Sequence, residues 1–388
     1  MKKIISIIIS ITILMLIAVS PVSAELKTGY REYGDTKYSY KYEDIGNFRY
    51  IYNNDGILQK VLFNKRNSKK EIARIEFPVE YNGKQVNEIG FTDFEDDPKS
   101  NNLKVNTIFI PETIKVFMIS CVGNFENDSG ERFISLRNIE VDKDNPYLCS
   151  KDGVLYSKDL KTIHLYPNRN SMTVYKMPNS VEEYTGSPLF HKRNNIKKLY
   201  LSNNLKSLGY SFAANCKNLE YVSIGANTQE IDTEAFWGND KLKTVKIKSQ
   251  KLKAIGDVAF NACLSLKKIN LPSKVKTIGE GAFWGCKSLK KITLPKNLKS
   301  IGLSAFADCK KLSKVIINNK KKAPKILKDS YNSETGVYKK AFKNTKKGIK
   351  FYVKNKKVAK SLKKQLKGSG VRNAKILVGK KVVYKNVK

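Results

Sequence analysis

The sequence predicts a β-dominated α/β fold, a curved right-handed solenoid with turns of about 23 residues that is capped at both ends. Three observations predict this architecture. Apolar residues recur at the same position of each repeat and so form columns when the repeats are aligned. Each turn opens with alternating apolar and polar residues. In two of the turns a proline, Pro272 or Pro295, ends this alternation. Because a single turn cannot bury its own apolar face, the turns must stack into a continuous core.

The repeat is clearest where residues 267–289 (KKINLPSKVKTIGEGAFWGCKSL) align with residues 290–312 (KKITLPKNLKSIGLSAFADCKKL). The apolar columns contain Leu208, Ile231, Ile255, Ile278 and Ile301; Leu219, Leu242, Leu266, Leu289 and Leu312; and Phe236, Phe260, Phe283 and Phe306, with Ala213 in the first slot of the third column and Phe212 beside it. Alternation with a period of two indicates a strand that buries one face. A repeat of this length falls within the range of leucine-rich repeats, so a leucine-rich repeat solenoid is predicted.

The pattern LxxIxLPxxLxxIGxxAFxxCxxL resembles the repeats of the bacterial BspA-like leucine-rich repeat proteins. Near-regular turns carry it over residues 196–312, and degenerate turns extend the expected solenoid to residues 73–345. Within residues 138–190, the DGVLY segment is similar to the hairpin of the longer, insert-bearing repeats of that family. The sequence departs from the pattern at Asp232, at Asn239 and at the exchanged pair Phe212 and Ala213.

The first 24 residues have the order of a secretory signal peptide. Lys2 and Lys3 precede an apolar run, which is followed by Pro21 and the small-residue ending Val22-Ser23-Ala24. Cleavage is therefore expected between Ala24 and Glu25. The alternative is an uncleaved N-terminal anchor, since the apolar run is only slightly short for a membrane span. After cleavage no membrane span is expected.

Both ends of the solenoid are expected to carry caps, because an open end would expose the core. Residues 25–72 contain alternating aromatic residues on both sides of the turn-like Asp44-Ile45-Gly46, which predicts a β cap. Residues 346–388 read as a Lys-rich β/α cap: a strand at 349–353, a helix at 357–367 and a hairpin around Gly379.

Charge and composition limit the classes of function. The 388 residues contain 73 Lys+Arg against 35 Asp+Glu, and residues 320–388 alone carry a net charge of +22. His164 and His191 lie outside metal-site or triad spacing, and the six cysteines contain no CxxC pair. We therefore expect no catalytic residue, no metal site and no cofactor.

The concave sheet is the expected partner-binding surface, because the residues on either side of each buried aliphatic residue point outward. These residues are Lys198, Tyr200, Tyr221, Ser223, Thr244, Lys246, Lys268, Asn270, Lys291, Thr293 and Lys314, together with Ile316. One interpretation is a cradle for an extended or acidic partner. The other is a solvated sheet surface in a chain that uses lysine throughout.

Two other features each allow two interpretations. Cys216, Cys263, Cys286 and Cys309 recur at a core position and are interpreted as small buried apolar residues, although a pair among the last three is also within reach of a disulfide after export. Trp237 and Trp284 each follow the core Phe. They either contact a partner by aromatic stacking or pack over the edge of the turn.

The leading hypothesis is an exported, non-catalytic binding protein that is secreted or displayed on the cell surface. The family resemblance implies an adhesin that recognises host or bacterial macromolecules, with an extracellular protein or glycan as its ligand. The alternative is an electrostatic anchor to anionic wall polymers, sulfated glycans or nucleic acid through the basic C-terminal segment. A specific nucleic-acid partner is not expected.

Overall fold

A computed structural model describes residues 27–33, 36–53, 58–63, 72–91, 105–118, 136–186, 188–332 and 337–388. Within them the predicted fold class is confirmed, because the chain forms a β-solenoid whose successive strands pair in parallel at intervals of 23 or 24 residues. The predicted signal peptide and its cleavage position at Ala24 and Glu25 lie outside the described residues.

The N-terminal strands form an antiparallel meander that continues into the solenoid. Its strands are β1 (Lys27–Tyr33), β2 (Thr36–Ile45), β3 (Phe48–Tyr52) and β4 (Leu58–Phe63). Strands β2 and β3 form the hairpin predicted at Gly46, with Ile45 opposite Phe48. Beyond β4 the sheet continues in parallel through β8 (Glu88–Phe91) and β10 (Val116–Met118).

The first turns are irregular and contain hairpins. Strands β5 (Ile72–Glu76), β9 (Val105–Ile110) and β11 (Asn138–Val141) pair in parallel, and β6 (Glu80–Tyr81) pairs with β7 (Lys84–Gln85). The next sheet contains β12 (Leu148–Lys151), β13 (Val154–Ser157), β14 (Thr162–Leu165) and β16 (Glu183–Tyr184). Strands β12 and β13 confirm the hairpin predicted at DGVLY, which turns at Asp152 and Gly153.

Two parallel sheets run along the regular turns. The long-strand sheet contains β15 (Val174–Lys176), β17 (Lys198–Tyr200), β19 (Tyr221–Ile224), β21 (Thr244–Ile247), β23 (Lys268–Ile269), β25 (Lys291–Leu294), β27 (Lys314–Ile317), β31 (Lys350–Val353) and β32 (Ala374–Val378), with β23 linked to β25 by a bridge between Asn270 and Thr293. The short-strand sheet contains β18 (Ser207–Leu208), β20 (Glu230–Ile231), β22 (Ala254–Ile255), β24 (Thr277–Ile278), β26 (Ser300–Ile301) and β28 (Lys325–Ile326). Buried side chains of both sheets belong to one hydrophobic cluster.

Stacked phenylalanine rings form the centre of this core. Rings of Phe236, Phe260, Phe283, Phe306 and Phe342 follow one another at centroid distances of 5.3–5.5 Å and interplanar angles of 3–13°. The repeat places the same ring at the same position in each turn, and offset stacking is a favourable arrangement for such rings. Phe212 still fills the core in the turn with the exchanged pair, but its ring is tilted by 73° against Phe236.

The cysteine column is buried, as predicted, and each thiol has a specific partner. Cys216, Cys263, Cys286 and Cys309 donate to the backbone oxygens of Phe190, Phe236, Phe260 and Phe283 at 2.9–3.3 Å. All four are free thiols in this structure. Burial raises the pKa of each, to about 12 for Cys216. The column therefore holds protonated thiols that cross-connect successive turns.

The C-terminal elements complete the same core. After a hairpin of β29 (Lys328–Asn332) and β30 (Val337–Lys340), the chain forms β31, α1 (Lys356–Leu366), β32 and β33 (Lys381–Val387), which confirms the predicted strand, helix and hairpin. Asn355 caps the helix by accepting a hydrogen bond from the Val358 amide at 2.9 Å. Phe351 packs edge-on against Phe342 at 5.4 Å. These residues are thus integral to the solenoid core.

Candidate functional site

The outward side chains of the long-strand sheet form two rows, which together we name the long-strand face. Alternation buries the middle residue of each strand, such as Leu199 or Ile292, and turns both of its neighbours outward. The first row contains Lys198, Tyr221, Thr244, Lys268, Lys291 and Lys314; the second contains Tyr200, Ser223, Lys246, Asn270, Thr293 and Ile316. The structure therefore aligns the predicted partner-binding residues of the sheet in two rows, and all of them except Ser223 are at least partly exposed.

An aromatic pair occupies the N-terminal part of this face. The rings of Tyr200 and Tyr221 lie diagonally across neighbouring strands, with their centroids 5.2 Å apart and a tilt of 41°. Both residues are half-buried, so each keeps part of its surface in contact with solvent. Such paired tyrosines offer apolar contact area and hydrogen bonding with few rotatable bonds to immobilise.

Ser223 corrects one expectation. It was predicted to be an exposed member of the face, but it is only 1% exposed. Tyr200 and Lys246 flank it in register on the adjacent strands. At this degree of burial, Ser223 offers no surface to a partner.

Lysine dominates the C-terminal part of the face. Lys268 and Lys291 are exposed, and Lys314 is half-buried with its Nζ 4.5 Å from the centre of the Tyr352 ring. The first row continues beyond the predicted residues to Lys350 and Lys375. Sequence reasoning missed these two because the β29–β30 hairpin interrupts the 23-residue period. The signal that identifies them is the strand alternation in KFYV and AKILV.

The two tryptophans lie elsewhere. Trp237 lies in the turn after the short strand β20 and is 38% exposed, and Trp284 lies in the turn after β24 and is 45% exposed. The indole of Trp284 donates to Asp308 at 2.9 Å, and Asn344 donates to the other carboxylate oxygen of Asp308 at 2.9 Å. Burial opposes ionisation of Asp308, but these hydrogen bonds and nearby lysines lower its pKa. Trp284 is thus an anchored, exposed ring away from the long-strand face.

In the described part of the chain, no group of three or more His, Cys, Asp and Glu side chains is placed to hold a metal ion. His164 bonds to the Thr185 hydroxyl at 3.1 Å, and burial lowers its pKa. The described residues also contain no helix long and apolar enough to cross a membrane. What the long-strand face does provide is ammonium groups, tyrosine rings and amides for non-covalent contact.

Comparison with a family of known sequences identifies the repeat. Six copies of the BspA type leucine rich repeat region match within residues 149–243, 210–337 and 253–360. Together these segments cover more than half of the chain. No curated protein matches the sequence as a whole.

Solved structures of bacterial leucine-rich repeat proteins resemble the fold. A leucine-rich repeat protein from Eubacterium ventriosum is 24% identical with a TM-score of 0.50, and the match covers 71% of this chain and 65% of that protein. The pneumococcal vaccine antigen PcpA is 19% identical over 91% of this chain and 99% of its own, with a TM-score of 0.44. A leucine rich cell surface protein from Faecalibacterium prausnitzii is 15% identical over 72% and 95%, with a TM-score of 0.33. The chain thus spans less than two thirds of the Eubacterium protein.

Proposed function

We propose that this chain, which belongs to the BspA-type leucine-rich repeat family, is an exported, non-catalytic adhesin. It recognises an extracellular protein or glycan through the long-strand face. The observation that carries this proposal is the pairing of Tyr200 with Tyr221 on the same surface as the exposed lysines. Aromatic anchors beside charged groups are typical of recognition surfaces.

The scaffold supports this role because it holds the face rigid. Each long strand pairs in parallel with its neighbours, and the buried residue between the two rows is fixed in the stacked core. A partner that docks there therefore need not order the backbone of the face, which lowers the entropic cost of association. Solenoid proteins change their specificity through such outward residues while the core stays constant.

Export is the second part of the proposal. It is supported by residues 1–24, which have a basic start, an apolar run and a small-residue ending. The mature protein would be secreted or held at the cell surface. N-terminal sequencing of the protein recovered from the culture medium and from washed cells tests this. A start at Glu25 agrees with it, and an intact N-terminus in every fraction contradicts it.

Binding is tested with the chain lacking only the predicted signal peptide. Immobilised matrix proteins, sulfated glycans and bacterial wall polymer are each presented over a salt series. We expect one protein or glycan to be retained at about 0.5 M salt, where long-range charge effects are largely screened. The double variant Tyr200→Ala and Tyr221→Ala should then lose at least about tenfold in affinity.

Tyr147→Ala is the matched control, because Tyr147 is 43% exposed and lies outside the long-strand face. It should bind as the wild type does. Thermal unfolding of each variant shows that the fold is kept. Wild-type affinity in the folded double variant would contradict recognition through this face.

A second candidate function is electrostatic anchoring to anionic wall polymer through residues 320–388, which the net charge of +22 in that segment favours. Deleting the segment is a poor test, because Phe342 and Phe351 belong to the core. Substituting the exposed residues Lys357 and Lys360 of α1, and Lys367 directly after it, with Gln keeps the core intact. Anchoring predicts weaker retention on wall polymer and a shallower salt dependence; unchanged retention would exclude it.

A further inference from the structure

Five lysines stand side by side on consecutive strands of the long-strand sheet. Register pairs Lys291 with Lys314, Lys314 with Lys350, and Lys350 with Lys375, and the bridge between Asn270 and Thr293 places Lys268 next to Lys291. We name these five residues the lysine row. With neighbouring strands about 4.8 Å apart, its Cα atoms span about 19 Å in a line.

No carboxylate balances this charge in the described residues. None of the five ammonium groups forms an ion pair there, and strands β23, β25, β27, β31 and β32 contain no Asp or Glu. Lys267 and Lys290 directly precede two members of the row and are also exposed. The row is therefore the centre of a continuous positive strip.

Stability does not explain the arrangement. Like charges directly opposite each other destabilise a sheet. Lysine commonly protects the edge strand of a sheet from pairing with other chains. The lysine row, however, crosses β27, β31 and β32, which are interior strands of their sheet, and it also crosses β23 and β25, whose facing edges are joined by the bridge between Asn270 and Thr293. A repeated unfavourable placement at the interior of a sheet points to a ligand that neutralises it.

The chemistry of the row indicates what that ligand is. Lysine offers a point charge that accepts an anion from many directions, whereas arginine forms the fixed bidentate pairs suited to a single phosphate. Single-stranded nucleic acid is bound by positive grooves with stacking aromatic rings. Tyr352 is the aromatic side chain beside the row, and the Lys314 ammonium group already lies over its ring. The ammonium group therefore occupies the place where a base would stack, which favours another kind of polyanion.

We infer that the lysine row is a binding track for a linear anionic glycan polymer that carries phosphate or sulfate groups at regular intervals. Several interchangeable anions along a flexible chain match a row of lysines that stand one on each of five successive strands. This inference rests on the proposed function as a binding protein and narrows it to one ligand class and one part of the face. It includes Lys350 and Lys375, so the track extends from the regular turns into the C-terminal elements.

The test compares two triple variants of equal charge in the chain lacking only the predicted signal peptide. The first carries Lys291→Gln, Lys314→Gln and Lys350→Gln in the lysine row. The matched control carries Lys253→Gln, Lys276→Gln and Lys299→Gln, three exposed lysines that follow one another along the short-strand side. The probes are heparin, phosphorylated dextran, neutral dextran and single-stranded oligothymidylate, so that the two anionic glycan probes distinguish a sulfated from a phosphorylated ligand.

We expect the wild type to bind heparin or phosphorylated dextran and not neutral dextran. The row variant should lose at least about tenfold in affinity at about 0.15 M salt, and the slope of log K against log salt should fall by about 2. The control variant should lose less than about threefold. Thermal melting checks folding, and the single changes Lys291→Glu and Lys276→Glu repeat the comparison if a triple variant is unstable.

Three results would overturn the inference: equal losses in both variants, tighter binding of oligothymidylate than of either glycan, or no binding of the anionic glycans by the wild type. None of them decides the proposed function. That function depends on a salt-resistant partner sensitive to Tyr200→Ala and Tyr221→Ala, which lie on β17 and β19, outside the row.

Discussion

The side-chain amide of Asn239 donates a hydrogen bond of 2.9 Å to the backbone oxygen of Ala213 in the preceding turn. Asn239 also donates to the Phe236 oxygen at 2.8 Å and accepts from the Cys216 amide at 2.9 Å. It stands where neighbouring turns have a cysteine whose thiol donates to the same carbonyl position. The column therefore selects a buried donor to the previous turn, and asparagine fills that role with more bonds than a thiol does.

Asn239→Ala should consequently destabilise the protein more than Cys286→Ala. The asparagine change removes three hydrogen bonds and leaves buried backbone groups without partners, at a cost of about 2–4 kcal/mol. The cysteine change removes one weak bond and one sulfur atom, at a cost of about 1 kcal/mol. Urea unfolding followed by circular dichroism measures both. Equal midpoints would show that the column needs only a small buried residue.

Gly302→Ala should destabilise the stack, because the glycine lies against the backbone of the previous turn. A Cβ atom at this position would be 2.5 Å from the carbonyl carbon of Gly279 and 2.6 Å from the nitrogen of Glu280. The backbones must separate to admit it, at a cost of about 1–3 kcal/mol. The melting temperature should fall by several degrees.

Asp232→Ala is the matched control for this prediction. Asp232 occupies the same column in an earlier turn, already carries a Cβ atom and is exposed. Its replacement should change the free energy of unfolding by about 0.5 kcal/mol or less. If both variants melt at the same temperature, close backbone approach does not account for the glycine column.

The repeat was predictable from sequence because its determinants are periodic. The columns of Leu, Ile and Phe residues recur at 23 or 24 residues, and the exchange of Phe212 and Ala213 leaves both residues fully buried in the core. Periodicity also places the outward rows, since each follows from the alternation around one buried aliphatic residue.

Two features of the face did not follow from sequence. The burial of Ser223 depends on the three-dimensional packing around a short side chain, which a pattern of residue types does not specify. Lys350 and Lys375 join the first row only because the chain returns to register after the β29–β30 hairpin. A period search ends at such an insertion, whereas backbone pairing continues across it.

Asp308→Ala should increase the mobility of the Trp284 ring. The indole loses its hydrogen bond to the carboxylate, which Asn344 and the turn hold in place. The chain contains two tryptophans, so in a Trp237→Phe background all tryptophan fluorescence comes from Trp284. Acrylamide quenching of its fluorescence should rise.

Asp240→Ala is the control for that measurement, since Asp240 is an exposed acid two turns before the turn of Trp284. It should leave the quenching constant unchanged. A quenching constant unaffected by Asp308→Ala would mean that packing alone, and not the hydrogen bond, orients Trp284.

Alkaline pH should destabilise the protein in part through the cysteine column. Burial raises the pKa of Cys216 from its ordinary value of 9.0 to about 12, so the folded protein keeps this thiol protonated where the unfolded chain ionises it. Above pH 9 the unfolded state therefore binds fewer protons than the folded state, and the free energy of unfolding falls as the pH rises towards 12. One such thiol contributes a slope of about 1.4 kcal/mol per pH unit.

Cys216→Ala removes this contribution. Between pH 9.5 and 11 the free energy of unfolding of this variant should decline less steeply than that of the wild type, and the two slopes should differ by about 1.4 kcal/mol per pH unit. Val222→Ala, which removes buried volume and no titrating group, should lower the curve at every pH without changing its slope. Parallel curves for the wild type and Cys216→Ala would refute a protonated thiol in the folded state.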